Sequence, residues 1–220
     1  MTRTELLEEL RGVVDDTRSP YAWSDLRLMA WLSEGQDKFC EQSGFWADKN
    51  TFSVVTVLGQ QDYAIDPRII AVRSIWDGAR QLIDGVGKTF SDADFADNAP
   101  QSPVHYRTDL ETGYVTLIEP VLAGVTLNLR VHRRSLVALN HKDANGDYDT
   151  EPAIPEQFRL SLVEYSAYKA FGDHDRELQD PVKADDHLTN FKGYVRDGKT
   201  AYRRLTGEYT DVVPNSLYVV

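Results

Sequence analysis

The sequence has very little cysteine, because Cys40 is the only one among 220 residues. A single thiol excludes an internal disulfide and a zinc site built from cysteines. Cys40 lies on a predicted helix next to Phe39, where we expect it to act as a small buried hydrophobe. The stability of the fold must therefore come from an apolar core, and a chain of this length can bury one.

Long apolar runs are also absent. No stretch approaches the ~18 consecutive apolar residues that a membrane span needs. The first residues, MTRTELLEELRGVV, place charges inside the apolar pattern and contain no small-residue cleavage site. The sequence therefore predicts neither a signal peptide nor a membrane partner, and we expect the protein to be made in the cytoplasm.

Positive charge is scarce relative to negative charge. The chain has 24 Lys and Arg against 35 Asp and Glu, which gives a net charge of −11. A protein that grips duplex DNA is normally basic, because it must neutralise phosphates. The balance predicts a surface that repels nucleic acid wherever the average charge dominates.

Helical periodicity marks the beginning of the chain. Apolar residues recur at helical spacing over residues 3–15. A second helix is expected to begin after Ser24, whose hydroxyl can cap the first turn, and to end at Gly44.

The same periodicity returns in the last third. A third helix is expected from Pro155, and its residues 156–171 are apolar around most of the girth, as in a central helix. A fourth helix runs from Asp180 to about Leu205 with apolar residues at alternating four- and three-residue steps.

Between residues 48 and 150 the pattern changes to strand alternation. Val125–Val131 alternates apolar and polar side chains, and Asp77-Gly78 separates two strand-like segments in the manner of a hairpin turn. The predicted strands are Thr51–Leu58, Ile69–Trp76, Gln81–Val86, Tyr114–Glu119 and Val125–Val131.

Together these patterns predict an α+β protein: a four-helix bundle with an antiparallel β domain inserted between helices two and three, plus an extended C-terminal arm. The expected bundle comprises residues 1–47 and 153–207, the β domain residues 48–152, and the arm residues 208–220.

Two short motifs suggest ligand chemistry and fail on spacing. Gly85-Val86-Gly87-Lys88-Thr89 resembles the end of a phosphate-binding loop, but the first glycine of that pattern would fall at Leu82. The acidic stretch Asp143–Asp149 suggests calcium, but an EF-hand counted from Asp143 would need Gly where Tyr148 stands and Glu where Ile154 stands. An Asx-rich turn explains the acidic stretch as well, and a calcium site of another kind stays open.

No other group of residues predicts catalysis. No pair among the five histidines has the i, i+4 spacing of a helical metal site, and no nucleophile elbow is present. We therefore predict a protein that is not an enzyme, with no catalytic residue, no cofactor and no metal. The histidines are His105, His132, His141, His174 and His187.

Three longer stretches follow one another in a fixed order along the chain. The first stretch contains Trp23-Ser24-Asp25, Leu28, Trp31-Leu32, Gly35-Gln36 and Phe39. The second contains Gly59, Tyr63-Ala64-Ile65-Asp66-Pro67, Ile70 and Val72. The third contains Pro155-Glu156-Gln157-Phe158, Leu162, Tyr165, Tyr168, Ala170-Phe171 and Asp175. Together they resemble the head–tail connector, or adaptor, proteins of tailed phages, and the tail tubular protein A type of short-tailed phages is the most similar. Asp66 is a departure, because the family often has Leu directly before Pro.

This resemblance implies a structural subunit of the virion. Such proteins form a homo-oligomeric ring, typically a dodecamer, between the portal protein and the tail nozzle or tail tube. DNA passes through the lumen without sequence-specific binding. The family carries no catalytic residues, and an acidic chain suits a channel that must not hold DNA.

The last segment, from Glu208, is apolar but too short for a core of its own, and Pro214 prevents a helix through its middle. We expect it either to pack on the chain's own β domain or to act as an arm that contacts the portal or a neighbouring subunit. The expected contact residues are Tyr209, Val212, Val213, Leu217, Tyr218, Val219 and Val220.

Two other functions stay open at this point. One is another virion assembly protein, such as a tail-completion subunit or a carbohydrate-binding β module in which Trp76 and Tyr114 would line a sugar site. The other is an enzyme of an unrecognised type. Ring formation in response to portal would distinguish the connector from both.

Overall fold

A computed structural model gives the fold of the chain. The residues that it describes are 1–44, 47–85, 102–109, 113–136, 138–139, 151–173 and 179–206. The chain divides into two compact units, a helical unit of Met1–Phe45 with Val137–Val220 and a β unit of Trp46–Leu136.

The helical unit contains four α-helices among the described residues. A 3₁₀ turn, Glu156–Phe158, precedes the third helix. The helices are α1 Arg3–Val13, α2 Asp25–Ser43, α3 Leu160–Phe171 and α4 Pro181–Thr206.

Helix α2 begins and ends where the sequence predicts. The Ser24 hydroxyl accepts a hydrogen bond from the backbone N–H of Arg27 at 3.3 Å. Gly44 closes the helix with φ of 65°, a left-handed conformation that favours glycine. The predicted caps of this helix are confirmed.

The connection between α1 and α2 is fixed by a buried arginine. The Arg11 guanidinium donates to Asp16 Oδ2 at 2.6 Å and to Asp25 Oδ1 at 2.5 Å. It also lies 3.8 Å from the ring centroid of Tyr21. Because Arg11 belongs to α1 and Asp25 begins α2, this network sets the start of the second helix.

Helix α3 is the centre of the helical unit. It packs against α4, α2 and α1, and most of its residues are buried. Gly35 of α2 allows a close approach, because a Cβ there would lie 3.1 Å from Tyr165 Cδ1. Gly198 of α4 does the same against Phe39, at 2.7 Å from its Cζ atom.

The β unit is built from two four-stranded sheets. The first has the order β1-β8-β3-β4 and the second has the order β2-β7-β6-β5. The strands are β1 Ala47–Val55, β2 Asp62–Ala64, β3 Ile69–Asp77, β4 Arg80–Gln81, β5 Ile83–Asp84, β6 His105–Asp109, β7 Tyr114–Leu117 and β8 Thr126–Arg133.

One core joins the two sheets. Its buried side chains come from strands of both sheets, so the sheets face each other across it. The core contains Tyr63, Ile69, Ile75, Leu82, Tyr106, Val115, Leu117, Val121, Leu127, Leu129 and Val131.

The predicted four-helix bundle with an inserted antiparallel β domain is wrong, although the α+β content is right. Helix α1 has 11 residues and spans about 16 Å, whereas α4 has 26 residues and spans about 39 Å, so they cannot form matched sides of a bundle. In the described chain, α1 packs mainly on α3. The β region is two sheets, and its β5–β6 pair is parallel.

The strand Gln81–Val86 is wrong as a single element. Asp77 pairs with Arg80 in the expected hairpin, but the chain then leaves that sheet. Ile83 pairs with His105 in the other sheet. Leu82 lies between these pairings and is buried, which shows that this short segment bridges the two sheets.

Candidate assembly surfaces

Four apolar side chains are exposed at one end of the β unit. Val55, Val57 and Leu58 belong to the end of β1 and the loop that follows, and Leu122 belongs to the connection between β7 and β8. They are 55%, 51%, 62% and 46% exposed, respectively. Exposed apolar residues that cluster on a surface mark interaction sites. We call these four residues the apolar tip.

Hydrogen bonds from Thr56 hold the two connections of the apolar tip side by side. The Thr56 hydroxyl donates to the carbonyl of Leu122 at 2.5 Å and accepts from the N–H of Val125 at 2.9 Å. The Thr56 N–H donates to the carbonyl of Val125 at 2.9 Å. One buried threonine therefore makes the two connections a continuous surface.

The loop after β1 is also anchored from within. The buried Tyr63 hydroxyl accepts from the N–H of Val57 at 3.0 Å and donates to the carbonyl of Gln60 at 2.9 Å. Gly59 provides the turn, with φ of 79°. A loop that is already ordered loses little entropy on binding, so the apolar tip is suited to contact another protein.

A buried ion pair shapes the strand that leads to the apolar tip. Asp48 Oδ2 accepts from Arg133 Nε at 2.7 Å, and Asp48 Oδ1 accepts from the N–H of Thr51 at 3.0 Å. The pairing of β1 with β8 is irregular between Asp48 and Phe52, which indicates a bulge held by these bonds. Burial acts to raise the pKa of Asp48, but hydrogen bonds from Thr51 and Arg133 outweigh it and hold that pKa well below its usual range.

A second carboxylate is anchored in the other sheet. Glu119 accepts from the N–H of His105 at 2.9 Å and pairs with the His105 ring. Burial acts to raise the pKa of Glu119, but the hydrogen bonds from His105 and from the N–H of Val104 lower it. Both partners are largely buried, so this pair has a structural role.

A polar recess of about 540 Å³ lies in the helical unit. Its Glu164 Oε2 lies 2.7 Å from His187 Nδ1 and accepts from Asn190 Nδ2 at 3.2 Å. The carboxylate is therefore already paired, as in a structural contact. The recess is lined by Glu164, Thr189, Asn190, Gly193, Tyr194 and Asp197.

The described residues give no metal centre, since no group of three or more His, Cys, Asp and Glu among them could hold an ion. The predicted cation stretch Asp143–Asp149 lies outside those residues. Of the phosphate-loop motif, Gly85 is described, and its N–H donates to the carbonyl of Tyr106 at 2.7 Å. That amide is engaged in the sheet and is not available to a phosphate.

The two aromatic residues of the hypothetical sugar site are on different sheets. Trp76 lies in β3, and the Arg130 guanidinium covers its ring at 3.9 Å from the centroid. Tyr114 lies in β7 of the other sheet and is exposed. The covered face of Trp76 is not available to stack on a sugar ring.

Most described residues of the first and third stretches that resemble the connector family form the core. The Trp23 and Trp31 rings meet edge to face at 6.3 Å, and the Phe39 ring packs on Phe158 at 5.4 Å. Gln36 is buried, and its Oε1 accepts from the N–H of Ala153 at 2.8 Å. These stretches therefore specify the framework, and the exposed assembly residues lie elsewhere.

Sequence reasoning missed the apolar tip. Val57 and Leu58 were expected to continue a strand, but β1 ends at Val55. Two apolar residues directly before Gly59 were the available signal, because a turn there takes them out of the sheet. The predicted contact residues in the C-terminal segment lie outside the described residues.

The family model of the SU10 adaptor protein matches residues 1–213, and no curated protein matches the chain. Membership implies contacts with other phage structural proteins, such as portal and tail, and a place at the head–tail junction of the virion. It favours a structural role over catalysis, and no helix among the described residues is long and apolar enough to cross a membrane. Because the match covers almost the whole chain, the protein belongs to the SU10 adaptor protein family of phages.

Proposed function

We propose that this adaptor forms a closed ring that joins the portal protein to the tail, as adaptors of the tail tubular protein A type do. The observation that carries the proposal is the family match over residues 1–213. The ring is expected to be a dodecamer, with the tail nozzle or tail tube protein on the side away from the portal.

The apolar tip supplies a suitable contact for such a ring. A ring of identical chains uses two different surfaces of each chain, one facing the next copy and one facing the previous copy. The centre of an interface is apolar and depleted of charge, and the tip residues Val57, Leu58 and Leu122 have both properties. We assign the tip to a contact between neighbouring adaptors.

The charge of the chain supports the channel function. The net charge of −11 disfavours tight contacts with phosphates, so DNA can move through the lumen without being held. This proposal includes the passage of DNA without sequence-specific binding.

The C-terminal segment is proposed as a further contact with the portal or with a neighbouring subunit. The residues concerned are Tyr209, Val212, Val213, Leu217, Tyr218, Val219 and Val220. They are apolar and follow the end of α4 at Thr206, where a segment can extend away from the helical unit.

The test is the oligomeric state of the full chain with and without purified portal from the same phage. Size-exclusion chromatography with light scattering should show closed rings bound to portal, and negative-stain images should show one ring on each portal. A chain that stays unbound at micromolar concentrations with intact portal present would refute the proposal.

A further inference from the structure

The free edge of β1 differs from every other sheet edge in the described chain. Strand β1 lies at the end of its sheet, paired with β8 on one side. It has nine residues, whereas the other edge strands β2, β4 and β5 have three, two and two. A short edge strand leaves few backbone N–H and C=O groups to which another strand can bind, whereas a long edge strand leaves many.

The two halves of β1 are protected differently. A bulge between Asp48 and Phe52 interrupts the pairing of the first half with β8, and Lys49 adds a charge there. The second half, Phe52–Val55, pairs with β8 in regular register and contains no charge, no proline and no bulge. This second half therefore lacks the features that normally prevent a strand from adding.

The outward backbone groups of this half can be assigned from the pairing. Thr56 directs its N–H toward β8, because it donates to the carbonyl of Val125 at 2.9 Å. Backbone groups alternate between the two edges of an antiparallel strand, so Ser53 and Val55 direct theirs to the free edge. No described residue bonds to these outward groups.

We propose that the Phe52–Val55 edge binds the C-terminal segment Leu217–Val220 of a second copy as an added strand. This inference rests on the proposed ring, since it names the contact by which one adaptor holds the next. It assigns a receptor for the C-terminal segment, and it places that receptor beside the apolar tip, with which the edge shares Val55.

The composition of the segment fits this edge. Leu217–Val220 has four residues, as has the free half of β1, and it also carries no charge. Its β-branched and aromatic residues are those that strands favour. Phe52 and Val54 pack against the β core, so an added apolar residue on that face would extend the same core.

The chain is long enough to make this contact between copies. Helix α4 ends at Thr206, and Leu217 follows 11 Cα-to-Cα steps later, with ten residues between them. An extended chain of that length spans about 36–40 Å. That is about three times the radius of gyration of a 100-residue domain, about 13 Å, so the segment is long enough to reach a neighbour.

Cysteine crosslinking of two different variants tests the proposal. One chain carries Ser53→Cys, and the other carries cysteine at one of the positions Leu217, Tyr218, Val219 or Val220. The two are mixed on portal and oxidised, and the native Cys40 does not interfere because it is buried. Opposite residues of paired strands are within disulfide distance. Because side chains alternate, crosslinking should favour either 217 and 219 or 218 and 220, by about tenfold over the other two.

A proline at the free edge provides the matched test. Ser53→Pro removes an outward N–H that the fold does not use, so the chain should fold normally while the crosslink to Val55→Cys falls at least tenfold. Ser53→Thr keeps the N–H and should retain the crosslink. A thermal unfolding curve for each variant verifies that both are folded.

The outcomes separate this inference from the proposed ring. Alternating crosslinks between different chains, lost with Ser53→Pro, would support it. Rings on portal without such crosslinks would overturn the edge assignment and leave the ring standing. A further variant that carries both cysteines in one chain tests for contact within a subunit, and crosslinks found only in that variant would also overturn the inference. Absence of rings on portal would refute the proposed function itself.

Discussion

Helix α4 of the helical unit and the apolar tip of the β unit expose their apolar residues in different ways. On α4, the exposed Val182 and Leu205 stand apart near opposite ends of the helix, about 34 Å from each other along its axis. In the β unit, the exposed Val57, Leu58 and Leu122 lie together on connections that hydrogen bonds hold in place. Single exposed apolar residues are ordinary, whereas a cluster on an ordered surface indicates a contact. In the proposed ring, this difference favours the apolar tip over α4 as a contact between copies.

The largest expected loss of stability follows from removing the ion pair of Asp48 and Arg133, which lies at the start of the edge strand β1. Asp48→Ala leaves the Arg133 guanidinium buried without its carboxylate and releases the bulge. The free energy of unfolding should fall by about 3–5 kcal/mol, measured by urea denaturation at pH 7. Lys49→Ala, an exposed change in the same bulge, should alter it by less than about 0.5 kcal/mol. Equal effects of the two changes would show that the pair does not hold the strand.

The same ion pair predicts a dependence on pH. The folded pKa of Asp48 is lower than that of an unfolded aspartate, so the carboxylate stabilises the fold above about pH 4. The stability that it contributes is lost as pH falls from there toward the folded pKa. The difference in unfolding free energy between the native chain and Asp48→Ala should be constant from pH 6 to 8 and should narrow below about pH 4. A difference that widens in acid would contradict the assignment.

Two glycines of α4 have different surroundings, which predict opposite effects of an added methyl group on stability. A Cβ at Gly198 would lie 2.7 Å from Phe39 Cζ, so the fully buried Phe39 ring would have to shift. Gly198→Ala should therefore lower the free energy of unfolding by about 1–3 kcal/mol. A Cβ at Gly193 would meet nothing within 4 Å, so Gly193→Ala should raise it by about 0.5–1 kcal/mol through helix propensity. Thermal unfolding of both variants measures the contrast, and a stabilising Gly198→Ala would contradict the close packing of α4 on α2.

The smallest expected change in stability concerns the loop of the apolar tip. Tyr63→Phe removes the hydroxyl that bonds to Val57 and Gln60, which should cost about 0.5–1.5 kcal/mol in urea denaturation. Tyr114→Phe, at an exposed tyrosine of the same sheet, should change stability by less than about 0.5 kcal/mol. If both variants unfold alike, the tyrosine does not order the loop.

Local pattern predicted the elements better than their arrangement. Caps at Ser24 and Gly44 and the alternation of Val125–Val131 depend on neighbouring residues, and these features appear in α2 and β8. The four-helix bundle was wrong because packing depends on helix length and on contacts between distant segments, which periodicity does not contain. The division of the β strands into two sheets depends on Leu82, a single buried residue at which the chain leaves one sheet and enters the other.

The candidate surface was harder to predict than the core. Buried residues such as Trp23 and Phe39 recur at helical spacing, so their positions follow from a simple pattern. The apolar tip has no such pattern, because its exposure depends on where β1 ends and on two hydroxyl groups. The Thr56 hydroxyl bonds to Leu122, 66 residues away, and the Tyr63 hydroxyl orders the loop after β1.

The difference between the apolar tip and α4 is tested most directly by whether two matched double variants form rings on portal. Leu58→Asp with Leu122→Asp places charge on the apolar tip, and Val182→Asp with Leu205→Asp places it at two separate exposed positions of α4. Both are surface changes, so both chains should fold with native unfolding curves. We predict that negative-stain images with portal show rings for the α4 variant and none for the tip variant. Rings from the tip variant, together with their loss in the α4 variant, would contradict the assignment of assembly to the β unit.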